Sequence, residues 1–266
     1  MALPLATEGS LSYKPAMTHL ASLHLAFSFL TRLPLPPQGA LPDGALARAM
    51  RMFPLVGAAV GLAGGLVYLL AVQALAPMVA ALLALATTAL ITGALHEDGL
   101  ADTADGLGGG RDREAKLAIM RDSRIGGYGA LALVLSVGLR AATLADISAG
   151  WPVLAAMVAA GAVSRALLPA VMLASRPARA DGLGHGAGLP RSADVAVALG
   201  LALLVLLLLL MLDGSALVWA VLLAALSATA MAALSSRQIG GYTGDILGAV
   251  QQVSEIAVLL AVAANG

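Results

Sequence analysis

Seven long apolar runs decide what this chain can fold into. They lie at about 52–72, 78–95, 126–146, 153–174, 195–212, 215–234 and 246–264, each close to twenty residues long. At about 1.5 Å of rise per residue, a helix of that length crosses a hydrocarbon layer of roughly 30 Å. Lipid cannot hydrogen-bond an exposed backbone, so the runs must be helices rather than open strands. Composition agrees: 60% of the residues are hydrophobic, 11% are charged and the mean hydropathy is +0.92, outside the balance of soluble domains. The expectation is an all-α polytopic membrane helix bundle of about seven transmembrane helices, one integral-membrane domain over 1–266 with its bundle in 52–264.

Residues 1–50 lack a basic start followed directly by an apolar core, so they are expected to stay on the mature protein. Within them "MTHLASLHLAFSFL" is too short to span, and the proline-rich "TRLPLPPQGALPDG" stops it. It reads as an interfacial helix on the cytoplasmic side. The absence of cysteine removes disulfides and thiolate metal sites. Zero net charge, 3% aromatics and no basic tail argue against a nucleic-acid partner. The sequence leaves a homo-oligomer open.

Loop charges set the orientation. With residue 50 in the cytoplasm, thirteen of the fifteen Lys and Arg residues fall in cytoplasmic segments, and the other two, Arg140 and Arg165, lie inside spans. The outer loops carry none, as the positive-inside rule requires. The long polar loops, 96–125, 175–194 and 235–245, then share the cytoplasmic face, where any chemistry is expected.

The acidic and glycine-rich segment 96–125 is the most distinctive. "HEDGLADTADGLGGGRDREAKLAIMRDSRIGGYG", residues 96–129, holds seven of the fifteen acidic residues. If the second span continues through it as helix, Asp98, Asp102 and Asp105 stand at i, i+4 and i+7 on one narrow arc. Like charges so spaced repel unless a cation lies between them. Mg2+ suits, because it is hard, takes oxygen ligands and shares its shell with substrate phosphates. The bland reading is a solvated acidic loop, which gives no reason for the one-face repeat. Gly108 and Gly109, with Arg111, read as a phosphate-binding nest or simply a flexible turn. An amphipathic cytoplasmic helix follows, closed by Asp122, Ser123 and Arg124 at a depth that faces the Asp cluster, so Ser123 and Arg124 are expected to contact substrate phosphate. Asp122 is either a further metal ligand or the N-cap of the next span.

The residues 96–135, with "FLTRLPLP" at 29–36, "RMFPLVGAAVG" at 51–61 and "GGYTGDILGAVQQVSEIAVLL" at 240–260, closely resemble the cobalamin synthase family over nearly the whole chain. The resemblance implies a magnesium-dependent, multi-pass inner-membrane transferase of cobalamin biosynthesis. Such enzymes join adenosylcobinamide-GDP, the activated corrinoid, to α-ribazole or its 5′-phosphate and release GMP. It places the catalytic and metal-binding motif on Asp98, Asp102 and Asp105, with His96 at its head. Glu97 stands where the family often has Leu, and "GGYG" at 126–129 departs from the commoner Gly-Thr-Phe-Gly. Asp245, at the start of the last span, is read as a helix cap, a substrate contact or a second-metal ligand, and His185 as part of a glycine-rich lid over a phosphorylated substrate.

Other readings compete. "DTADG" is reminiscent of CDP-alcohol phosphotransferases, although the Ala-Arg that follows in that family is absent. Arg140, Arg165 and Glu255 lie inside apolar spans, where charge marks a transport pathway, a substrate pocket or an ion pair locking helices together. The pair is the expectation for Arg165 and Glu255. Gly57, Gly61 and Gly65 recur every four residues, as close helix packing requires.

Overall fold

The computed structural model describes residues 17–147, 150–209 and 214–264. In chain order the helices are α1 (His19–Leu30), α2 (Ala45–Ala49), α3 (Phe53–Ala71), α4 (Pro77–Thr92), α5 (Leu95–Gly109) and α6 (Arg113–Ile119). Then come α7 (Gly127–Asp146), α8 (Trp151–Ala174), α9 (Leu183–Gly186), α10 (Ser192–Leu208), α11 (Gly214–Ile239) and α12 (Gly244–Ala263). A 3-10 turn, Met50–Met52, joins α2 to α3, so Ala45–Ala71 is one apolar helix of 27 residues. Local chemistry sets several starts. Thr18 accepts a hydrogen bond from the Ala21 amide at the head of α1, and Thr243 one from the Ile246 amide at the head of α12. Proline opens α4 and stands in the first turn of α3 and α8, where its missing N–H costs nothing.

The expected apolar runs are helical, but the expected count of about seven spans is not confirmed among the described residues. Among the described residues five helices are long and apolar enough: Ala45–Ala71, Gly127–Asp146, Trp151–Ala174, Ala216–Ile239 and Gly244–Ala263. The expected second span ends at Thr92, and α5 leaves it at 92°; taken together as one bent span, the pair makes a sixth. The expected run 195–212 forms the shorter α10, and residues 210–213 lie outside the described residues. The bend has a plain cause. Gly93 (φ 65°) and Ala94 (φ 56°) are both left-handed, a conformation that ends a helix and that alanine adopts only with strain. The Asp motif is therefore helical, but on a helix that turns away from the second span rather than prolonging it.

The buried α8 organises the interior. A Cβ on Gly57 would run into the Gly161 carbonyl and one on Gly61 into the Met157 carbonyl. Backbone contact between α3 and α8, as expected from the glycine spacing, is what these residues allow. Leucine and valine on α7, α10 and α11, such as Val134, Leu203 and Leu226, stay exposed and give the bundle the apolar exterior suited to lipid. The segments 31–44, 110–126, 175–191 and 240–243 gather at one end. Arg113 donates to the carbonyls of Ile239 (3.0 Å) and Ala178. Arg121 pairs with Asp181 at 2.8 Å; across an isolated bridge between Pro177 and Tyr242 the Ala178 amide donates to the Tyr242 carbonyl (2.8 Å) and the Tyr242 amide to the Arg176 carbonyl (2.9 Å).

Candidate functional site

A crossing of two helices builds the site. A Cβ on Gly99 would stand 2.8 Å from the Asp245 carbonyl oxygen and 3.1 Å from the Gly248 Cα. Only a glycine pair lets α5 and α12 approach so closely. The contact brings Asp98 and Asp102, one turn apart on α5, toward Asp245 in the first turn of α12, near enough for the carboxylates to repel one another. Neither Asp98 nor Asp102 has an ion-pair partner among the described residues.

Asp98, Asp245 and His96 line a cavity of about 300 Å3. Arg179 and Gly182 close one side of it and Phe53 and Met172 another. Arg179 lies 3.6 Å from Asp245 and 3.7 Å from Asp181, and its second terminal nitrogen, Nη1, is buried without a hydrogen-bond partner. Asp245 also accepts a 3.0 Å hydrogen bond from the Thr243 hydroxyl. The loop 175–191, read from sequence as a lid, supplies cavity wall through Arg179, Gly184 and Ala187. The His185 side chain lies outside the described residues.

The other expected site residues have different surroundings. Asp105 is buried, and its carboxylate accepts from the amides of Gly126 (2.6 Å) and Gly129 (2.9 Å). It thus caps α7 from another helix, the role that sequence offered to Asp122. Asp122 is held instead by Arg124, whose Nη2 donates to it at 2.6 Å, and these hydrogen bonds push its carboxyl down to about 2. Ser123 and Arg111 are exposed. Among the described residues no three His, Asp or Glu side chains form a ready-made metal cage. Gly108 and Gly109 sit in the last turn of α5, where the free backbone groups are carbonyls rather than amides. Lys116 covers two of those carbonyls, Leu107 at 3.0 Å and Gly110 at 2.7 Å, an arrangement that accords with the plain turn, the other of the two readings the sequence offered. The expected amphipathic helix is the short α6, and its basic side chains tie down α5 and the loops.

Behind the cavity lies a buried polar network that sequence disclosed only in part. Arg140 reaches Glu255 at 3.1 Å and Glu97 at 3.4 Å, while Arg165 lies 3.8 Å from Glu255. Gln252 donates to Glu97 at 3.2 Å and accepts from Ser136 at 3.0 Å, and Gln251 donates to Ser164 at 3.0 Å. The Arg165–Glu255 pair matches the expectation, with Arg140 and Glu97 completing it. The charges that a transport pathway would use are paired with one another. His96 touches both this network and the cavity, and its Nε2 has no partner. Arg179 was legible only as part of the glycine-rich lid, Glu97 was set aside as a ligand, and Gln251 and Gln252 were missed from sequence. The only signal for the last three was their polarity within or beside an apolar run.

A family model described as cobalamin-5-phosphate synthase matches residues 22–263. A protein of Bradyrhizobium diazoefficiens named adenosylcobinamide-GDP ribazoletransferase is 56% identical over 246 residues, covering 92% of this chain and 94% of its own. Proteins of the same name from Azorhizobium caulinodans and Mesorhizobium japonicum are 49% and 47% identical. They cover 91% of this chain each, and 95% and 92% of their own length. No solved structure matches the chain.

Proposed function

Because the chain belongs to the cobalamin-5-phosphate synthase family, we propose that it is an adenosylcobinamide-GDP ribazoletransferase working in the cavity walled by Asp98, Asp245 and Arg179. In that reaction a hydroxyl oxygen of α-ribazole, or of its 5′-phosphate, bonds to the corrinoid-side phosphorus. The bond from that phosphorus to the bridging oxygen breaks, and GMP leaves. The chain's own task is to hold a diphosphate, align the hydroxyl and accept its proton.

Arg179 suits the first task, because it lines the cavity, its Nη1 has no hydrogen-bond partner, and a guanidinium pairs well with phosphate oxygens. Asp245, between Thr243 and Arg179, orients that guanidinium. His96 and Asp245 are the cavity-lining acceptors for the hydroxyl proton. Asp98 and Asp102 fit Mg2+, since this ion commonly takes only one or two carboxylates and completes its shell with waters and substrate phosphates. Their lack of a cation partner is the observation that favours it. When bound, Mg2+ supplies charge neutralisation at the diphosphate. Asp105 and Asp122 are left to structural roles.

The observation that carries this reading is the Gly99–Gly248 crossing, which sets Asp98 and Asp245 on the walls of one cavity. The basic residues collected at that end of the bundle support an inner-membrane, multi-pass placement with the cavity toward the cytoplasm. Purified protein in lipid should release GMP from the activated corrinoid only when α-ribazole and Mg2+ are both present, and Asp102→Asn should abolish that release. Movement of the corrinoid across sealed vesicles without GMP would instead favour a transporter.

A further inference from the structure

The cavity has two unlike walls. Asp98, Asp245 and Arg179 stand on the side made by α5, α12 and the loop after α8, while Phe29, Leu30, Met50, Phe53, Leu168 and Met172 come from α1, α3, α8 and the turn between α2 and α3. None of those six side chains carries a hydrogen-bond donor, and the only acceptors among them are the weak thioether sulfurs of the two methionines. The Phe29 and Phe53 rings lie parallel, 7° apart in plane with centroids 6.0 Å apart, and two methionine side chains adjoin them in the lining, a combination that favours a flat aromatic guest.

Taking the ribazoletransferase reading as its premise, we propose that this apolar wall receives the base of the acceptor nucleoside, while the corrinoid remains outside at the polar rim. Size separates the two substrates. About 300 Å3 is the lower end of the range for ligand cavities, roughly 300–1,000 Å3, and suits a two-ring base with its ribose. A corrin macrocycle with its side chains is several times larger. Polarity then orients the guest. The base of α-ribazole is a fused, methylated aromatic system with little polar surface, so it lies against Phe53, Met172 and Leu168. Its ribose then points toward Asp98, Asp245 and the diphosphate held by Arg179. A purine base in the same place would bury amino or carbonyl edges with nothing to pair with, lowering affinity by roughly tenfold to a hundredfold. The apolar wall is therefore a specificity determinant for the acceptor base.

The test is steady-state GMP release by protein in lipid nanodiscs, varying each substrate in turn, with calorimetric binding of α-ribazole in the absence of corrinoid. Leu168→Phe, which fills the pocket, and Met172→Gln, which makes it polar, should each raise the KM for α-ribazole about tenfold or more. The KM for the activated corrinoid should stay within about twofold. On wild-type protein, which removes any question of folding, an acceptor lacking the base methyl groups should bind more weakly. One carrying adenine in place of the methylated base should bind more weakly still. Equal rises in both KM values, or adenine- and benzimidazole-type acceptors binding alike, would overturn the assignment. So would a lipid retained in the cavity that α-ribazole does not displace. Wild-type protein that releases no GMP with both substrates present would instead sink the transferase reading itself.

Discussion

Asp98, Asp102 and Asp105 share one face of one short helix, yet their surroundings assign them different work. Asp105 is buried and satisfies two amides at the head of α7. Asp105→Ala leaves those donors unpaired, and a thermal melt in detergent should show a loss of about 1–2 kcal/mol. Asp98 and Asp102 have no counter-ion among the described residues. Replacing either by Asn removes like-charge repulsion, so the melting temperature should hold or rise while GMP release falls by about 100-fold or more. Opposite signs for stability in Asp105→Ala and Asp102→Asn would separate the structural carboxylate from the working one; equal losses in both would refute the division. The interior charges invite a second comparison. Arg140 bridges two carboxylates at 3.1 and 3.4 Å, whereas Arg165 lies 3.8 Å from one. Breaking a buried pair by removing one partner costs on the order of 3–5 kcal/mol. Arg140→Met should therefore destabilise the protein more than Arg165→Met, as urea titration would measure.

Two glycine positions decide how α5 is placed. Gly93 lets the chain turn by 92° after α4, and a Cβ there would both strain φ 65° and strike the Arg32 side chain. Gly99 lets α5 meet α12. Gly99→Val wedges the two helices apart, so it should lower GMP release much more than it lowers the melting temperature, because Asp98 no longer shares a cavity with Asp245. A proportionate loss of both would mean that the crossing is merely structural. These elements also show what an apolar pattern reveals. Run length located α7, α8 and α12 within a few residues, since hydropathy reports burial in lipid directly. It did not reveal the turn at Gly93–Ala94, because hydropathy has no direction and the positive φ of an alanine leaves no mark in composition. The i, i+4 spacing of Asp98 and Asp102 was legible for the same reason that any helical face is. The partnership of Arg179 with Asp245 was not, since it joins distant segments through a loop. The glycine run was ambiguous because the same residues serve an amide nest or a helix C-terminus, and the position of Lys116 over the carbonyls of Leu107 and Gly110 favours the second.

Across the whole molecule, function depends on which end of the bundle meets which compartment. The polar segments 110–126, 175–191 and 240–243 are tied together at one end by Arg113 and Arg121, and 175–191 supplies cavity wall there. The opposite end holds short connections such as 72–76, without a basic residue. A charge division of this kind is the basis for the proposed placement of the basic end in the cytoplasm, the side on which the proposed nucleotide-activated substrate and released GMP belong. The chain contains no cysteine, so single-cysteine variants report topology without background. Ser123→Cys, on the exposed loop before α7, should react with a membrane-impermeant maleimide in inverted membrane vesicles and stay unlabelled in intact spheroplasts. Ala74→Cys, between α3 and α4, should show the reverse. The two sites together test the parity of the crossings between them, α4 included, which at sixteen residues is short for a span. Labelling of both from the same side would mean that α4 and α5 do not return the chain across the membrane, and labelling of Ser123→Cys in intact spheroplasts would overturn the cytoplasmic placement of the cavity.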